Sequence, residues 1–118
     1  MFCLLGCLPS EVAAIPGEPL RTFASCAGRF SATMEHQWLI SDPSSDRTEA
    51  QRSAMLSLVD AVMRPDQGRD VLIWRIEAKQ AHAVLLTRAT FNQDRADATW
   101  ASEQAEMHLA HCTGLLLS

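Results

Sequence analysis

Four segments of this chain carry apolar residues at intervals of three and four, the spacing that places side chains on one face of an α-helix. The first segment runs over five turns, from Leu20 to Trp38. The other three cover roughly 47–63, 69–90 and 95–113. Short connections containing proline, glycine or helix-capping residues separate them. Four amphipathic segments joined in this way predict an all-α fold, an antiparallel up-down four-helix bundle.

Each predicted helix has an apolar face that we expect to point into the core. The expected core positions are Leu20, Phe23, Ala27, Phe30, Met34 and Trp38, then Ala54, Leu58, Ala61 and Val62 with Met55 and Val59 beside them, then Val71, Trp74, Ala78, Ala81, Leu85 and Ala89, and finally Ala98, Ala101, Ala105, Leu109, Cys112 and Leu116. We expect Asp94 to cap the last helix and Gly114 to end it, after which residues 115–117 fold back onto the core.

The size and charge of the chain limit what it can bind. Its 118 residues are enough for one domain and not for two. Ten basic residues stand against fourteen acidic ones, for a net charge of −4. The arginines are dispersed among acids, as in Arg64, Asp66, Arg69 and Asp70, so the basic cluster that neutralises nucleic-acid phosphates is missing from the sequence. Nucleic acid is therefore not an expected partner.

The first fourteen residues, MFCLLGCLPSEVAA, are set apart from the predicted domain at 15–118. A short apolar run from Phe2 to Leu8, followed by the small-residue ending Val12-Ala13-Ala14, is typical of a cleaved secretory leader, although no basic residue precedes the run. The string Leu-Leu-Gly-Cys around Cys7 resembles the lipobox of bacterial lipoproteins, in which the cysteine is lipidated. A frayed apolar terminus without a targeting role is the third interpretation. The first two predict a periplasmic or otherwise exported protein, membrane-anchored if it is a lipoprotein.

Four cysteines, Cys3, Cys7, Cys26 and Cys112, are the most informative reactive side chains. Cleavage after Ala14 would leave one pair, and an even count in an exported protein favours a disulfide. Cys26 and Cys112 lie on or beside the apolar faces of the first and last helices, which are neighbours in an up-down bundle. We therefore expect a disulfide between them, with two buried free thiols as the alternative.

Three stretches resemble a group of small exported proteobacterial proteins: CAGRFSA at 26–32, WRIEAKQAHAVLL at 74–86 and AHCTGLLLS at 110–118. The resemblance would cover most of the mature chain and implies export and a helical fold. The group has no assigned activity, so the resemblance implies no substrate and no site residue.

The stretch MHLAHC at 107–112 raises the hypothesis of a metal site. His108 and His111 are three residues apart and adjacent on a helix. A zinc or copper site needs three or four ligands, so His82 or His36 would have to complete it from another helix. A disulfide at Cys112 would remove the nearest thiolate, and histidines on an exposed helix flank are the alternative.

Arg75, Lys79 and His82 follow one line of the third helix and are a candidate face for an anion or an acidic partner. The alternative is a solvated face whose aliphatic stems cover apolar neighbours. The sequence has no nucleophile motif, phosphate loop or His-Glu-x-x-His, so an enzyme is not favoured and no cofactor is expected. The favoured hypothesis is an exported helical bundle that acts as a non-enzymatic binding or assembly module of the cell envelope, with an unidentified protein or small-molecule partner. The alternative is a metal-binding protein using His108 and His111.

Overall fold

A computed structural model describes residues 18–117 of the chain, and these residues form four long helices. They are α1 (Glu18–Leu39), α2 (Ser45–Val62), α3 (Gly68–Phe91) and α4 (Arg95–Leu117), with one 3₁₀ turn, Pro65–Gln67, before α3. No strand occurs in this range, which confirms the predicted all-α helical bundle. The predicted leader at 1–14, including Cys7, lies outside the described residues. None of the described helices is both long and apolar enough to span a membrane.

Helix α1 is the central element of the bundle. It packs most extensively on α3 and on α2, whereas α4 packs mainly on α3. Buried residues therefore occur around most of the circumference of α1, including Ala24, Ala27, Phe30 and Ala32. Although α2 and α3 are consecutive in the chain, they make almost no direct contact. The core consequently lies between α1 and each of its neighbours, and α1 is the helix that joins these layers together.

Two groups of apolar side chains fill the core. Near the start of α1 and the end of α2, Leu20, Ala24, Val59 and Val71 form one group, with Phe23 packed against it. A second group joins α1, α2 and α4. Its fully buried members are Cys26, Ala27, Phe30, Met55 and Cys112, and the partly buried Leu109, Leu115 and Leu116 pack against them. This second group brings the end of α4 to the middle of α1.

The connections between helices use local hydrogen bonds that the sequence encodes. At the end of α1, the amides of Ser41 and Asp42 donate to the carbonyls of Trp38 and Gln37, and Ser41 has a φ of 58°. This is the Schellman arrangement, which satisfies carbonyls at a helix C-terminus. At the start of α4, the Asp94 carboxylate accepts from the amides of the second and third residues that follow it. The predicted cap at Asp94 is therefore confirmed.

The predicted apolar face of α2 was wrong: the observed buried face is shifted by about one residue along the sequence. Met55 and Val59 are buried together with Ser45 and Thr48, whereas Ala54, Ala61 and Val62 are exposed. The prediction gave alanine the same weight as larger side chains. Burying Met55 and Val59 removes more apolar surface from water than burying two alanines does, so the helix turns these larger residues inward.

Other expected core positions also differ. Trp38 is 55% exposed at the end of α1, Ala81 is exposed, and the adjacent His82 is fully buried instead. Gly114 does not end α4, which continues to Leu117 without folding back. Leu115 and Leu116 reach the core from within the helix, since helical spacing already places them beside the second apolar group. A single glycine in a helix costs only about 1 kcal/mol, which this packing outweighs.

One glycine sets the distance between α1 and α3. A Cβ atom at Gly28 would overlap the backbone carbonyl oxygen of Arg75 and would lie 3.0 Å from the amide nitrogen of Lys79. Only glycine allows the two backbones to approach this closely. The close approach brings the next residue of α1, Arg29, against the buried part of α3.

Candidate functional site: a basic groove beside the disulfide

Cys26 of α1 and Cys112 of α4 form a disulfide, as the sequence predicted. Their Cα atoms are 5.5 Å apart, and 86 positions of chain separate them. Both residues are almost fully buried within the second apolar group. The bond links α1 covalently to α4, and these two helices pack on each other less extensively than either packs on α3.

A groove of about 360 Å³ lies along the seam that this disulfide closes. The side of α1 contributes Arg21, Thr22, Ser25, Cys26 and Arg29, and α4 contributes His108, His111 and Cys112. No aspartate or glutamate is among these lining residues. The groove therefore gathers two guanidinium groups, two imidazoles and two hydroxyls on a chain whose net charge is −4.

Arg29 is held in place by a buried histidine. Its Nη1 donates a hydrogen bond of 3.0 Å to Nδ1 of His82 on α3. His82 is fully buried, and burial, followed by the charges of Arg29 and His108, lowers its pKa from 6.5 to about 4. The imidazole is therefore neutral at neutral pH, which lets Nδ1 accept from the guanidinium. The proton is then on Nε2, for which the described residues provide no hydrogen-bond partner.

The other basic side chains that line the groove are Arg21, His108 and His111. The Arg21 guanidinium lies over the ring of Trp74, 5.4 Å from its centroid, and this cation–π contact orients it without neutralising its charge. His108 is partly buried, and burial together with the charges of Arg29 and His111 lowers its pKa. His111 is exposed at the rim. Desolvation also lowers the pKa of the Arg29 guanidinium.

The structure brings three of the predicted metal ligands into one neighbourhood, but with an arginine among them. His108 and His111 line the groove, and His82 is close enough for the charge of His108 to affect its pKa. However, Nδ1 of His82 is occupied by Arg29, and within residues 18–117 no group of three or more metal-binding side chains is assembled. His36 lies elsewhere and is hydrogen-bonded to Thr90, with 2.9 Å between Nε2 of His36 and Oγ1 of Thr90.

The predicted face of Arg75, Lys79 and His82 is not one exposed surface, because His82 is buried against α1. Lys79 forms an ion pair of 2.7 Å with Glu35. Arg75 and Lys79 line a different and smaller groove, of about 150 Å³, that also contains Glu35 and Arg52. Since an acid faces the cations there, this second groove lacks the uniform charge of the first.

Helical periodicity did not predict Arg21 or Arg29 as site residues. Of the two, Arg29 carries the clearer sequence signal, because it lies between Cys26 and Phe30 in the most heavily buried part of α1. A lone charged residue in such a stretch needs a partner or a function. The pairing with His82 depends on how α1 crosses α3, which helical periodicity alone does not show.

No family model matches this chain, and neither the curated proteins nor the solved structures contain a match. The fold and site of residues 18–117 define a four-helix bundle that is cross-linked by a disulfide and has a basic groove beside it.

Proposed function

We propose that the chain is an exported, non-enzymatic binding module of the cell envelope, and that the basic groove between α1 and α4 is its binding surface. The observation that supports this most directly is the composition of the groove. Hydrogen-bond donors and two guanidinium groups converge there with no acid among the described lining residues, beside a disulfide that links one wall to the other. A concave site with a few convergent polar groups is the general form of a ligand site.

The disulfide supports the proposed location. Bonds of this kind form and persist in oxidising compartments and are rare in the cytosol. We expect the protein, expressed in a proteobacterial host and recovered from the envelope fraction, to yield a Cys26–Cys112 linked peptide. The N-terminus of the recovered protein should lie directly after Ala14, or at a lipidated Cys7. Recovery from the cytosol only, with both thiols alkylated without prior reduction, would contradict the proposal.

Site-specific cross-linking in the same cells tests whether the groove is the binding surface. A photoreactive phenylalanine analogue is placed at Thr22, which lines the groove, and in a matched variant at Ser57, which is exposed on α2. We expect an adduct of defined mass at Thr22 and none at Ser57. If adducts form at Ser57 and not at Thr22, the binding surface lies elsewhere.

Metal binding is the second candidate function, and the presence of His108 and His111 in one groove favours it. The adjacent charges of Arg21 and Arg29 oppose it, because they repel a divalent cation. We therefore expect the melting temperature of the metal-free protein to be unchanged by equimolar zinc or copper. A clear rise in the wild type that is lost in His108→Gln would establish the metal function instead.

A further inference from the structure

We infer that the groove between α1 and α4 binds a small oxyanion, a phosphate or carboxylate group of a small molecule, anchored by the guanidinium of Arg29. This inference rests on the proposed function and names the ligand class of the same site. Arg21 and His108 supply further positive charge or donors, and the Ser25 and Thr22 hydroxyls complete the lining.

Arg29, which lines the groove, has no carboxylate partner among the residues that the structure describes. The described residues form three ion pairs, Arg64–Asp66, Glu35–Lys79 and Arg88–Asp97, and none of them includes Arg29. Its partner is the neutral imidazole of His82. A partly desolvated guanidinium without an anion is unfavourable, and an oxyanion from solution would restore the missing interaction.

The position of this guanidinium is fixed before any ligand arrives. His82 is fully buried and accepts from one nitrogen of Arg29, so the remaining N–H groups of the planar fork are held in one orientation. Arginine is the side chain best suited to two parallel hydrogen bonds with a carboxylate or phosphate. The ring of Trp74 similarly holds Arg21. Binding to groups fixed in this way avoids the entropy cost of ordering two long side chains.

The size of the groove and the charges around it favour a small anion over a nucleic acid. A volume of about 360 Å³ is at the lower end of that of small-molecule sites. The dispersed acids elsewhere on a chain of net charge −4 repel an extended polyanion. A compact ligand that lies within the groove meets lining residues that are basic, hydroxyl-bearing or part of the disulfide, and none of them is acidic.

Calorimetric titration of the oxidised, full-length protein with inorganic phosphate and, separately, with succinate tests the inference. We expect saturable binding of at least one of these anions, weakened about tenfold or more in Arg29→Gln because a charged hydrogen-bond donor is lost. Arg47→Gln is the matched control, since it removes the same charge from an exposed position on α2. Equal weakening in both variants would mean that only net charge matters and would overturn the inference.

A second variant and a second readout guard against a folding defect in Arg29→Gln. Arg21 is exposed at the rim, so Arg21→Gln leaves the core intact and is expected to weaken the same anion several-fold. In the wild type, the bound anion should raise the pKa of His108, followed through its ring-proton shifts, because it offsets the field of Arg29 from α1 and of His111 from α4. His82 on α3 and Arg21 on α1 are the other titratable or charged groups beside this site.

The experiments distinguish an error in the proposed ligand class from an error in the proposed binding surface. If neither anion binds the wild type while Thr22 still cross-links in cells, the oxyanion inference is wrong and the groove binds a ligand of another chemistry. If Thr22 gives no adduct and neither anion binds, the groove is not the binding surface and both proposals fail.

Discussion

Arg29 of α1 and His82 of α3 form a partly buried polar pair that joins the two helices. The guanidinium donates to Nδ1, and the imidazole lies in a site where a second positive charge is unfavourable. This arrangement requires His82 to stay neutral. The same pair thus fixes the anchoring group of the groove and makes the fold sensitive to acid.

The stability of the protein should fall as the pH drops from 6.5 towards about 4. In this interval the unfolded chain takes up a proton at His82, whose ordinary pKa is 6.5, whereas the folded chain does not until about pH 4. A base whose pKa is lowered by folding contributes full stability above its unfolded value and loses it below. The loss is roughly 3 kcal/mol at most. Urea unfolding across this pH range measures it.

His82→Gln is the variant that isolates this effect, because its side-chain carbonyl can still accept from Arg29 while the titrating group is removed. We expect its unfolding free energy to vary less between pH 6.5 and about 4 than that of the wild type. His111→Gln, at an exposed position of α4, is the control and should keep the wild-type dependence. An identical pH dependence in wild type and His82→Gln would show that His82 is not the group responsible.

At the scale of the helices, the approach of α1 to α3 depends on a missing side chain. We expect Gly28→Ala to destabilise the protein by about 1–3 kcal/mol, because the new methyl group overlaps the α3 backbone at Arg75. Gly114→Ala is the matched substitution, since a Cβ there meets no atom within 4 Å. It should stabilise the protein by up to about 1 kcal/mol through helix propensity. Chemical unfolding of both variants measures these changes in the free energy of unfolding. If both substitutions stabilise the protein, the observed packing of α1 on α3 is contradicted.

Helical periodicity predicted the four helices well and their faces less well. The bounds of α2, α3 and the start of α4 agree to within about two residues, because caps and prolines mark them locally. The buried face of α2 was predicted wrongly because both its alanines and the pair Met55 and Val59 have helical spacing. Only packing against α1 determines which of these residues are buried. The end of α4 was missed because burial of Leu115 and Leu116 outweighs the local cost of Gly114.

The candidate site was predictable only in part, for the same reason. Cys26 and Cys112 could be paired from the sequence because both lie beside apolar faces of helices that an up-down bundle brings together. His108 and His111 could be placed together by their spacing on one helix. Arg29 and His82 belong to different helices, and their contact follows from the approach at Gly28. Such a contact leaves no periodic signal in either helix.

At the scale of the whole molecule, the disulfide joins the first helix to the last. A cross-link that closes a loop of 86 residues restricts the unfolded chain and stabilises the fold by about 4–5 kcal/mol on the chain-entropy model. We expect the double variant Cys26→Ala/Cys112→Ala to lose a free energy of unfolding of this order, measured against the oxidised wild type in urea. The wild type in reductant should lose a similar amount. A loss below about 1 kcal/mol would mean that the core alone holds α4 in place.

The groove between α1 and α4 is the place where we propose that the protein binds its ligand. Residue-resolved NMR of the oxidised full chain, titrated with inorganic phosphate and with succinate, tests this most directly. We expect the largest shift changes at Arg21, Ser25, Arg29, His108 and His111, with none in the exposed residues of α2. Changes spread over the whole surface, or confined to the second groove around Arg75 and Lys79, would contradict it.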